Sequence, residues 1–137
     1  MRAVLGYART AYKTYVLDVA KEDRPLEERM LKMLRRQAKL ASIEQRGCFF
    51  ANTILETNQR HPFQPELKHF YQDWLDGMSS MLEERFDPAE AKERAYRYFI
   101  DYEGSMLLHQ LDSDPGHMMR LEQRVIEQLD KPVQVTF

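Results

Sequence analysis

Residues 87–111 read DPAEAKERAYRYFIDYEGSMLLHQL. Asp87 supplies an N-cap acceptor, Pro88 suits the first helical position, and Glu90 places a carboxylate at the third, a variant of the capping box. From there Ala91, Ala95, Tyr98, Phe99 and Tyr102 recur at helical spacing along one side. Tyr96, Ile100 and Leu107 form a second apolar side, leaving only Glu93, Arg97 and Asp101 as a narrow polar stripe. A helix of this kind needs cover on two sides. The stretch therefore predicts a long helix in an all-α bundle, with more apolar surface than one small chain covers.

Working outward, the same period predicts about six helices. The first runs from about Ala3 to Ala20, with Val4, Tyr7, Ala8, Ala11, Tyr12, Tyr15 and Val19 on its buried face. After the polar break Lys21–Arg24, Pro25 opens a second helix carrying Leu26, Met30, Met33, Leu34, Ala38 and Ala41, with Glu27, Glu28, Arg35 and Arg36 outside. Gly47 is a stop and restart. The block RGCFFANTILE (46–56) follows as a short, central third helix. A loop at 61–65 leads into a fourth, with Leu67, Phe70, Tyr71, Trp74, Leu75, Met78, Met81 and Leu82 as its stripe. Residues 87–111 form the fifth. Asp114-Pro115-Gly116 repeats the cap-and-proline signal before a sixth helix carrying Met118, Leu121, Val125 and Leu129; the tail VQVTF is unassigned. No strand, repeat or linker divides the chain, so residues 1–137 read as a single domain.

The chain of 137 residues has 43% hydrophobic and 31% charged residues, an ordinary globular balance. Its 20 basic and 22 acidic side chains leave a net charge of −2, which argues against a nucleic-acid footprint on this chain. One cysteine forms no internal disulfide, which favours a reducing, cytoplasmic setting. No apolar run reaches the ~20 residues of a membrane span.

The helix order, and within it Gly47-Cys48 with Ala51, Asn52 and Glu56, Phe70 with Trp74-Leu75, Asp87-Pro88-Ala89-Glu90-Ala91, and Tyr102-Glu103-Gly104-Ser105-Met106-Leu107-Leu108, resembles the C-terminal effector-binding and dimerisation domain of TetR-type transcriptional regulators. The resemblance spans most of the chain. The family's N-terminal helix-turn-helix region has no counterpart in it, and residues 1–20 look like the helix that connects to that region. The resemblance implies a ligand-sensing, non-enzymatic domain of a repressor, homodimeric through residues 87–130. It takes a small apolar effector, and DNA is bound only through the missing region. No cofactor is implied.

Individual residues divide between structural and functional readings. Cys48 is a small buried hydrophobe, an oxidant sensor, or, least in keeping with its apolar surroundings, a catalytic nucleophile. The expected ligand-binding residues are Phe50, Asn52, Phe70, Trp74, Met78, Tyr102 and Met106, where aromatic and methionine side chains exceed what a core requires. The expected dimer interface is Tyr98, Gly104, Leu107, Leu108, Leu111, Met118, Leu121, Val125 and Leu129, paired as a four-helix contact with twofold symmetry. Glu66 and His69 have the Glu-x-x-His spacing of a metal helix, with Asp73 one turn on. A di-iron bundle needs two such motifs, so these read as a solvated face with no metal. The alternative to a regulator domain is a stand-alone helical module that captures full-length regulators as heterodimers.

Overall fold

The computed structural model describes residues 2–43 and 64–130, and among these every regular element is helical. α1 spans Arg2–Tyr15, a 3-10 segment Leu17–Lys21, α2 Leu26–Ile43, α3 Gln64–Leu82, α4 Pro88–Asp112 and α5 Gly116–Gln128. The expected third helix, RGCFFANTILE, and the tail VQVTF lie outside the described residues. The fold is all-α, with five α-helices described.

α4 begins as its sequence demands. Asp87 stays extended and its side chain accepts a hydrogen bond from the Glu90 N–H at 2.9 Å, satisfying one of the donors that a helix start leaves open. Its far end closes through Ser113, left-handed at φ 57°, whose N–H reaches the His109 carbonyl at 2.7 Å. The turn into α5 is held by two aspartates. Asp112 accepts from the Asp114 N–H at 2.9 Å, and Asp114 accepts from the Gly116 N–H at 2.8 Å.

α3 packs along α4, α4 along α5, and α2 crosses to α5, while α1 lies on α3. Trp74, Met30, Leu82, Tyr102, Leu121 and Val125 have at most a trace of exposure at the centre of one continuous core. Phe99 anchors its aromatic part, edge-on to Trp74 at 5.1 Å and to Tyr71 at 4.9 Å between centroids.

The first helix departs from expectation. It ends at Tyr15 rather than near Ala20, and the chain tightens into the 3-10 segment. Contacts distant in sequence cause this. Leu17 presses on α3 where Gly77 leaves no side chain: a Cβ there would meet Leu17 Cδ2 at 3.3 Å. Arg36 donates to the Tyr15 carbonyl at 3.0 Å and Arg29 to the Ala20 carbonyl at 2.9 Å, so both ends of the segment are tied to α2. Tyr7, expected on the buried face, is 77% exposed, while Tyr12, Val16 and Val19 are buried. The side chains of Val4 and Ala8 lie outside those described.

Candidate functional site

Four of the expected ligand-binding residues come together inside the bundle. Trp74 and Met78 from α3 meet the core that Tyr102 and Met106 enter from α4, with Phe70 at its edge, tilted against Tyr12 at 4.8 Å. The cluster is polar at one point. The Trp74 indole N–H donates to Gln37 Oε1 of α2 at 3.2 Å, with both side chains buried. Phe50, Asn52 and the possible redox residue Cys48 lie outside the described residues.

The expected interface residues separate into two groups. Tyr98, Leu121, Val125 and Leu129 are 0–2% exposed, covered by their own chain, and Met118 is half-buried. Tyr98, Leu121, Val125 and Leu129 belong to the core of their own chain, against which Met118 packs. Gly104, Leu107, Leu108 and Leu111 face outward, with Leu107 63% and Leu111 79% exposed. Tyr96 and Ile100 extend the same line, and Met119 is exposed on α5. Positions 96, 100, 104, 107 and 111 share one side of α4 at helical spacing, so the outer face of this helix is apolar along most of its length.

Two buried arginines went unnoticed in the sequence. Arg29 is 5% exposed; it donates to the Ala20 and Arg24 carbonyls and forms a two-pronged pair with Glu84. Arg94, 2% exposed, pairs with Glu90, donates to the Gln128 carbonyl at the end of α5, and lies over the Phe86 ring at 3.8 Å. Helical phase was the available signal, since Arg29 adjoins Met30 and precedes Met33 by one turn, and Arg94 sits between Ala91 and Tyr98.

Among the described residues, the surface concavities include one between α1 and α3 and one on α2. A groove of about 790 Å³ runs between α1 and α3, floored by Leu17, Gly77 and Met81 and bridged by the Arg9–Asp73 ion pair. A depression of about 520 Å³ lies on the outer side of α2, lined by Arg24, Lys32, Arg35, Arg36 and Lys39 with Tyr15, Glu28 and Leu31. Among the expected solvated residues, His69 is exposed and Asp73 is taken by Arg9, away from any Glu66–His69 pairing. Asp112, Asp114 and His117 bring possible metal ligands together in the α4–α5 turn. Their oxygens are occupied in holding that turn: Asp112 accepts from the Asp114 N–H and bonds His117 Nε2 at 3.0 Å, which together keep its carboxyl below the usual range.

No described helix is long and apolar enough to cross a membrane. The chain matches no family model, no curated protein and no solved structure.

Proposed function

We propose that this chain is the effector-sensing and dimerisation domain of a TetR-like transcriptional repressor, without catalytic activity. The observation that carries the reading is the two-sided α4. One side is sealed into the core, and the other exposes Tyr96, Ile100, Leu107 and Leu111 around Gly104. Exposed apolar rows of this length mark an interaction surface, and a twofold pairing of α4 with α4 covers both copies at once.

The effector is a small apolar molecule held at the cluster of Trp74, Met78, Tyr102 and Met106, where unbranched methionines adapt to a guest and the Gln37 amide orients it. α1 reports occupancy. Its C-terminal end is fastened by Arg36 and the 3-10 segment, whereas Arg9, at its middle, is tied to α3 through Asp73. A ligand that favours one placement of α1 shifts the DNA-binding heads joined to it by its differential affinity, of the order of ~1–3 kcal/mol.

Sedimentation equilibrium tests the pairing. The wild-type chain is expected to be a dimer at micromolar concentration, and Leu107→Asp a monomer with an unchanged helical circular dichroism spectrum, since Leu107 contributes little to its own core. A monomeric wild type refutes the interface. Native mass spectrometry of the same sample reads the co-purified small molecule.

A further inference from the structure

The depression on α2 stands apart from the core cluster and from the α4 face. Lys32 lies three and four residues before Arg35 and Arg36, and Lys39 four and three residues after them, so the four share one side of the helix. Arg24, from the turn before α2, closes the end of the row. Within the lining, five cations face the single carboxylate of Glu28, in a chain whose overall charge is −2. Such a concentration of like charge is unfavourable unless anions meet it.

Two carboxylates at the margins pair with three of the five cations. Glu22 meets Lys32 at 2.6 Å and Arg24 at 3.6 Å, and Glu122 meets Arg35 at 2.8 Å. The positive field is felt at Glu22, whose carboxyl is held below its usual range by the Lys32 hydrogen bond, then by the charges of Lys32, Arg24 and Arg36. Arg36 is set differently. One guanidinium nitrogen donates to the Tyr15 carbonyl at 3.0 Å and the group rests 4.7 Å from the Tyr15 ring centre. It is thus pre-oriented, with N–H donors left for an anion.

We propose that this depression binds a compact phosphate polyanion, a diphosphate or triphosphate group on a small molecule, through Arg24, Lys32, Arg35, Arg36 and Lys39. Several vicinal oxygens are what such a row matches, because each cation meets a separate acceptor and the arginines bind phosphate in a forked geometry. The volume falls in the range of small-ligand sites. An extended nucleic acid fits less well, since Glu22, Glu28 and Glu122 flank the row and would oppose a continuing backbone. The marginal ion pairs are partly solvated, and exchanging their carboxylates for phosphate oxygens costs little.

The probe is inorganic pyrophosphate, titrated into the full chain by calorimetry at low ionic strength. Saturable binding at one site per chain is expected, with about tenfold weaker affinity for Lys39→Gln and for Arg36→Gln. Arg97→Gln, on α4, is expected to bind as the wild type does. Lys39 is exposed, so its variant keeps the fold and the test decisive even where Arg36→Gln disturbs the Tyr15 contact. Three results overturn the proposal: no saturation by about 10 mM pyrophosphate, equal affinity in wild type and Lys39→Gln, or orthophosphate binding as tightly as pyrophosphate at matched ionic strength. A single-stranded oligonucleotide displacing pyrophosphate at lower concentration than triphosphate does would also overturn it, by making the ligand a nucleic acid.

Discussion

The indole of Trp74 is wholly buried, and Gln37 Oε1 is the acceptor that meets its N–H. Replacing that acceptor is therefore worse than removing both partners. Gln37→Leu is expected to lower unfolding free energy by about 1–3 kcal/mol by stranding the indole N–H, and Gln37→Leu with Trp74→Phe to lose less than the sum of the two single losses. Urea denaturation of the two single variants and the double measures this; additive losses refute the hydrogen bond's role. Arg94 follows the same logic with a charge. Its guanidinium is covered by Phe86, Glu90 and the end of α5, so Arg94→Ala leaves the Gln128 carbonyl and the Glu90 carboxylate without it, at about 3 kcal/mol. Arg97→Ala, one turn outward, is expected to change stability by no more than ~0.5 kcal/mol, because its pair with Glu93 is exposed.

At the scale of elements, the ties between helices are carboxylate–arginine contacts, and they make stability depend on acid. Glu84 is held below its usual range by the Arg29 guanidinium, and Glu27 by Arg85. A carboxylate depressed in the folded state binds its proton more readily once unfolded. Its contribution is complete above the ordinary glutamate value of 4.5 and is lost as pH falls through the lower folded value. The urea midpoint is thus expected to be flat near neutrality and to fall below the ordinary glutamate range. Glu84→Gln should flatten that fall and lower neutral stability by ~0.5–1 kcal/mol, a modest figure because the carboxylate is half exposed and screened. These ties also show where reading the sequence stops. The two sides of α4 and the stripes of α2 and α3 were legible because burial repeats with the helical period. The break after Tyr15 was not, since its causes are Gly77, Arg29 and Arg36, remote in sequence. Periodicity says that Leu121, Val125 and Leu129 are covered; it does not say whether their own chain or a second copy covers them. Arg35 and Arg36 read simply as outer residues of α2, because spacing alone does not reveal that Arg24 lies beside them.

The whole molecule turns on what covers the outer side of α4, and Gly104 separates the possibilities. A Cβ added there meets nothing within 4 Å in the single chain. In a monomer, Gly104→Ala therefore removes only the conformational cost of a mid-helix glycine and stabilises by about 0.5–1 kcal/mol. In the proposed dimer, Gly104 lies at the middle of the Tyr96–Leu111 row, where the lack of a side chain lets two helices approach closely. The added methyl then holds the backbones apart and weakens every flanking contact. One substitution is thus expected to act in opposite directions: a higher melting temperature for the dissociated chain at high dilution, and a larger dissociation constant by sedimentation equilibrium. A variant that melts higher while dimerising as tightly as the wild type would move the contact away from Gly104, towards Leu108 and Met119 on the side facing α5. A variant unchanged in both measurements would mean that this face contributes neither to helix stability nor to assembly.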